Sequence, residues 1–102
     1  MYKGINIKPD HAKIVTEILR RILPDNSHIW VFGSRLKHQI KPFSDLDLAI
    51  DCEQKPLTIS QLADLKEAFS ESDLPYKVDI VDINAVSSEF LEIINENKVL
   101  FD

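Results

Sequence analysis

A single cysteine, Cys52, stands in the 102 residues, which excludes an intramolecular disulfide and implies a reducing compartment. A basic excess is also missing. The 12 Lys and Arg against 17 Asp and Glu leave a net charge of −5, which argues against a broad surface that tracks nucleic-acid phosphates. No direct nucleic-acid binding is therefore expected. No apolar run approaches a membrane span, and the opening MYKGINIKPDHAK has no apolar stretch of the kind a signal peptide needs. The expectation is a cytoplasmic protein with no membrane contact. Internal repeats, low-complexity tracts and linker-like segments are absent too. What remains is ordinary globular material, 44% hydrophobic and 28% charged. It suffices for one core, so residues 1–102 are expected to form one domain, with little left for a second lobe to hold a substrate.

Residues 1–8 read as a loose lead-in. Pro9-Asp10 opens a helix, with Asp10 able to accept from the free N–H groups of the first turn. Val15, Ile18, Leu19, Ile22 and Leu23 follow at helical spacing and define one buried stripe, which Pro24-Asp25-Asn26 stops. His28 to Phe32 is a strand of bulky and β-branched residues. Gly33 ends it, and Ser34 suits the N-cap of a short helical turn over Arg35 to His38. After a loop at Lys41-Pro42-Phe43, Asp45 to Asp51 alternates as a second strand, with Leu46, Leu48 and Ile50 on one face and Asp45, Asp47 and Ala49 on the other.

A second helix is expected over about Ser60 to Ser70, burying Leu62, Leu65 and Phe69. A third strand follows over Tyr76 to Ile83. A last helix is expected over about Ala85 to Glu96, with Val86, Phe90, Ile93 and Ile94 inward and Asn97 as its left-handed cap. Strands alternating with helices predict an α/β domain with helices packed on a small sheet. The link between the first two strands, about eleven residues, is too short for a comfortable parallel crossover, so that pair should be antiparallel or splayed and the sheet mixed.

The chemistry concentrates in WVFGSRLKHQIKPFSDLDLAID, residues 30–51. Asp45 and Asp47 lie on one face of a strand, roughly 6.6 Å apart at Cα, where two carboxylates can share a divalent cation. Mg²⁺ suits such a pair, because it takes a few carboxylates and completes its shell with water and substrate phosphates. A third acid, Asp79, shares a face with Val81 and Ile83, where an acid is costly unless paired or metal-bound. Gly33 and Ser34 form a turn where main-chain N–H groups and a hydroxyl can receive a phosphate, and Arg35 adds a cationic fork for the same anion. Each feature also has a plain structural reading. Asp-x-Asp occurs on solvated strand faces, and Gly-Ser-Arg can be a simple strand-to-helix turn. Asp51 and Asp82, near strand ends, read as solvated caps or loop residues.

Other chemistries lack support. The phosphate-loop pattern G-x-x-x-x-G-K-[ST] is absent, and Ser34 has no G-x-S-x-G context. His11, His28 and His38 show no zinc-ligand spacing. Trp30 and Phe32 read as core residues rather than a base-stacking platform.

Gly33-Ser34, ten residues, then Asp45-Leu46-Asp47 resembles the G-S-x10-D-x-D signature of the nucleotidyltransferase superfamily that includes DNA polymerase β. FGSR…SDLDLAI and KVDIVDIN look like its minimal nucleotidyltransferase (MNT) branch, and the similarity runs from the first strand to the C-terminus. Where members often carry a small residue shortly after Gly-Ser, this chain has Lys37-His38. The resemblance implies the α/β nucleotidyltransferase core with a mixed sheet. It implies that Asp45, Asp47 and Asp79 are catalytic and bind a Mg²⁺ pair, and that Gly33, Ser34 and Arg35 bind the nucleotide, most readily ATP. It also implies transfer of AMP to an acceptor hydroxyl, such as a tyrosine of a HEPN-type toxin partner in a toxin–antitoxin pair. The competing reading is an antitoxin-like subunit that neutralises a helical partner by contact. A third, a small-molecule nucleotidyltransferase, needs an acceptor pocket that homodimerisation could build.

Overall fold

Strands β1 (His28–Phe32), β2 (Leu46–Asp51), β3 (Val78–Asp82) and β4 (Val99–Leu100) form one sheet in the order β3-β2-β1-β4. The computed structural model describes residues 4–36, 41, 43–53 and 55–101. β1 is antiparallel to β2 and to β4, and β2 is parallel to β3, so the sheet is mixed. The link after β1 makes an antiparallel return without an α-helical crossover among its described residues. The parallel step from β2 to β3 has helix α2 (Ile59–Ser70) as its crossover, as parallel pairing requires.

Helices α1 (Pro9–Ile22) and α2 cover one face. Ala12, Val15, Ile18 and Leu19 of α1, and Leu65 and Phe69 of α2, bury against Ile29 and Val31 of β1 and Leu46, Leu48 and Ile50 of β2. The helical repeat of about 3.6 and the strand repeat of two supply these matched apolar faces. Thr58 starts α2 with a reciprocal capping box, its hydroxyl accepting from the Gln61 N–H while the Gln61 side chain accepts from the Thr58 N–H.

Helix α3 (Ser88–Asn97) touches the opposite face, where the Phe90 ring meets Phe32 edge-on with centroids 6.1 Å apart. No helix among the described residues is long and apolar enough to cross a membrane.

Several local expectations are corrected. In the described part of the lead-in, residues 4–7 are tied down. Ile5 is buried, and the Asn6 N–H donates to the Arg35 carbonyl at 2.6 Å. Lys8, not Asp10, precedes α1 as its cap. Pro9 takes the first helical position, where a missing N–H is harmless, and Asp10 lies within the first turn. The turn expected over Arg35 to His38 is a 3₁₀ turn, Gly33–Leu36. Lys37 and His38, with Pro42 of the next loop, lie outside the described residues.

β3 is shorter than the expected strand over Tyr76 to Ile83. α3 starts later than expected because Ser87 caps it, accepting from the Phe90 N–H, which leaves Val86 ahead of the helix. Of its expected inward set only Ile94 is buried; Ile93 is 60% exposed and Phe90 is exposed. Asn97 is the last helical residue, not a left-handed cap. The chain leaves it through an extended Lys98 straight into β4, a strand too short to announce itself by alternation. Trp30 and Phe32 lie outside the main core. They are half-buried on the face away from α1 and α2, with the Lys98 ammonium 4.3 Å from the Trp30 ring centre.

Candidate active site

Strand register brings two of the expected acids, Asp47 and Asp79, together. Phe32 at the end of β1 pairs with Asp47, and Asp47 pairs with Asp79. Neighbouring strands are about 4.8 Å apart and paired residues share a face, so the two carboxylates stand side by side. The consequence is electrostatic. Burial, then the charges of Asp79 and Asp45, then a hydrogen bond with the Asp79 carboxyl raise the Asp47 pKa from 3.8 to about 6.

Asp45 lies just ahead of β2 and is exposed. Asp79 is half-exposed, and the Lys77 ammonium sits 3.3 Å from its Oδ1. Among the described residues, no group of three or more His, Cys, Asp or Glu side chains is gathered closely enough to hold a metal ion as it stands. The three acids are thus a neighbouring pair, Asp47 and Asp79, with Asp45 at the rim. Their donors are all oxygen, which suits a hard cation such as Mg²⁺. Their mutual repulsion is what such a cation would relieve. On donor chemistry and charge, the residues fit it.

Gly33 closes on this pair. Its φ is +79°, and a β-carbon built on it would collide with Oδ2 of Asp47. Glycine alone satisfies both conditions. The Ser34 hydroxyl lies 3.5 Å from the Asp45 main-chain carbonyl, so the turn and the start of the acid strand adjoin.

Arg35, expected to be a cationic fork for the nucleotide's phosphates, is a buried residue, 5% exposed. Its guanidinium donates to the Asn6 carbonyl at 3.2 Å and the Ser44 carbonyl at 2.8 Å, and stacks 3.9 Å from the Tyr76 ring centre. A planar cation with several donors is well suited to join three chain segments. Here it fastens the lead-in, the Gly-Ser turn and the residue before Asp45.

Two contributors were not singled out in the sequence. Lys77 lies two residues before Asp79, the spacing that shares a strand face, and that spacing was the available signal. Tyr76, the buried ring beneath Arg35, had none beyond being aromatic. Asp82 is a cap as expected but not a solvated one. It is 7% exposed and accepts from the Leu57 and Asn84 N–H groups at 2.7 and 2.9 Å. Asp51 is half-buried and accepts from the Asn84 side chain at 3.0 Å.

Residues 15–102 match the family described as Polymerase beta, Nucleotidyltransferase. The chain belongs to this nucleotidyltransferase family. Nucleotidyl transfer is the chemistry of that family. This nucleotidyltransferase is 48% identical over 95 residues to the probable protein adenylyltransferase MntA of Haemophilus influenzae, covering 93% of this chain and 82% of that one. Its fold is similar to that in a crystal structure of a toxin–antitoxin with AMP-PNP, at a TM-score of 0.72 and 23% identity, covering 89% of this chain and 72% of the other. A mutant MntA–HpeT toxin–antitoxin is similar at a TM-score of 0.70 and 21% identity, covering 89% and 71%. At these identities the structural likeness is one of fold.

Proposed function

We propose that this nucleotidyltransferase transfers AMP from ATP to a hydroxyl of an acceptor protein, with Mg²⁺ bound by Asp45, Asp47 and Asp79. The observation that carries the reading is the pairing of Asp47 with Asp79 on adjacent strands, with its excess negative charge, and the closure of the Gly33 turn on Asp47. The resemblance to a probable protein adenylyltransferase supports ATP as donor and a protein as acceptor. A HEPN-type toxin tyrosine is the acceptor that fits the MNT resemblance.

Gly33 and Ser34 receive the triphosphate through main-chain N–H groups and the Ser34 hydroxyl. The acceptor oxygen bonds to the α-phosphorus, the bond from that phosphorus to the α–β bridging oxygen breaks, and pyrophosphate leaves with the bonding electrons. Asp79 takes the acceptor proton. Bound Mg²⁺ supplies charge stabilisation for the attacking and leaving oxygens. Arg35 acts at one remove, holding the turn and the approach to Asp45 in place.

The test is incubation with α-labelled ATP and Mg²⁺ beside the product of the neighbouring gene, followed by mass analysis of both proteins. An AMP adduct that disappears in a folded Asp47→Asn variant is the expected result. Undiminished transfer in that variant would remove Asp47 from the mechanism.

A second reading, neutralisation of a partner by contact, is favoured by apolar side chains left open at α3 and β4. Ile93 and Leu100 are 60% and 53% exposed, beside the exposed Phe90. Partner neutralisation that persists without ATP would support it.

A further inference from the structure

The three strands lay out the site in a fixed order: the Gly33–Ser34 turn after β1, Asp47 on β2, Asp79 on β3. In an in-line displacement the attacking and leaving oxygens occupy opposite sides of the phosphorus. With pyrophosphate leaving over Gly33–Ser34, the attacking hydroxyl must arrive from the opposite side, over Asp79 and the outer edge of β3.

That edge is open. β3 ends the strand order, and among the described residues no strand pairs with its outer side. The Leu46 N–H donates to the Lys77 carbonyl at 2.9 Å. Alternation then turns the main-chain groups of Asp79 and Val81 toward β2, and those of Val78 and Ile80 outward. A groove of about 610 Å³ runs beside this edge, with Lys66 of α2 along one side and Lys77, Asp79 and Ile80 along the other. Buried Phe69 and Tyr76 contribute to its lining. Lys66 and Lys77 are exposed, so the groove carries two cations against the one Asp79 carboxylate that Lys77 already meets at 3.3 Å, on a chain of net charge −5.

We infer that this groove seats an extended, acid-flanked segment of the acceptor protein, which adds to the edge of β3 and presents its hydroxyl to Asp79. The inference rests on the nucleotidyl-transfer reading above. Edge addition supplies affinity through main-chain hydrogen bonds with Val78 and Ile80, and the lysines select the charge of the flanking side chains. A helical segment could not satisfy those outward main-chain groups, so an extended one is specified.

The test uses the full chain, ¹⁵N-labelled, and two synthetic peptides: a tyrosine flanked by glutamates and its lysine-flanked counterpart. The glutamate peptide should shift the amides of Val78 to Ile80 and of Lys66 to Ser70. The lysine peptide should bind about tenfold more weakly, the scale expected for two exposed ion pairs. Lys66→Glu alone should narrow that preference, and Lys66→Glu with Lys77→Glu should reverse it. Absence of binding, shifts centred on α3 instead, or a preference that survives both charge reversals would each overturn the inference. Magnesium with AMP-PNP is titrated separately. Silence of the Gly33 and Ser34 amides there would sink the nucleotide reading, whereas silence toward the peptides alone would sink only the groove.

Discussion

Gly33 and Asp47 face each other so closely that the glycine has no room for a β-carbon. Gly33→Ala must therefore displace the carboxylate and also hold alanine at a φ of +79°. We expect a loss of about 1–3 kcal/mol in urea unfolding, the range for a non-glycine residue held in the left-handed region. An unchanged midpoint would mean that the turn can relax without cost.

The acid pair predicts a pH dependence of stability. Asp47 titrates near 3.8 when unfolded and near 6 when folded, so between those values the folded state holds the extra proton. Its contribution is intact below pH 3.8 and declines as pH rises to about 6, above which the folded state carries an unfavourable charge. Asp47→Asn should accordingly stabilise the protein at pH 7.5, by about 1 kcal/mol after allowance for solvent screening, and have little effect at pH 3.5. Melting curves at the two pH values check this, and destabilisation at pH 7.5 would contradict it.

Arg35 should matter for folding more than for nucleotide. Removing a buried cation takes a charged donor from both the Asn6 and the Ser44 carbonyl. Arg35→Ala is expected to cost about 3 kcal/mol. The milder Arg35→Lys should lower the melting temperature while the folded fraction binds Mg·AMP-PNP as the parent does. A large affinity loss at unchanged stability would return Arg35 to the anion site.

Asp79 and Asp82 share β3 but should behave oppositely. Asp82 is buried and accepts two main-chain hydrogen bonds, so Asp82→Ala should destabilise by about 2–4 kcal/mol yet spare transfer in the folded fraction. Asp79 has an exposed lysine partner, so Asp79→Ala should stay within about 1 kcal/mol and abolish transfer from α-labelled ATP. Reversal of either pattern would reassign the two acids.

Much of the fold was legible because periodicity carries it. β1 falls on the expected His28–Phe32, and the core residues of α1, β2 and α2 follow their apolar spacing. The short β1–β2 link pointed to an antiparallel or splayed pair, and the pair is antiparallel. What escaped depends on contacts distant in sequence. Ile93 has the right spacing for burial, but α3 lies where little covers that side. Arg35 has an anion binder's neighbours, yet its setting is made by Asn6 and Tyr76 from the two flanks of the chain. The acids were legible by type and spacing. That Asp47 and Asp79 meet required the register of β2 on β3.

β2 serves two masters at once: Leu46, Leu48 and Ile50 point into the hydrophobic layer, while Asp47 points to the opposite surface. One residue gained or lost between Leu46 and Ile50 would exchange those roles, sending a carboxylate inward and a leucine outward. A change of length within this strand would therefore undo the core and the acid pair together.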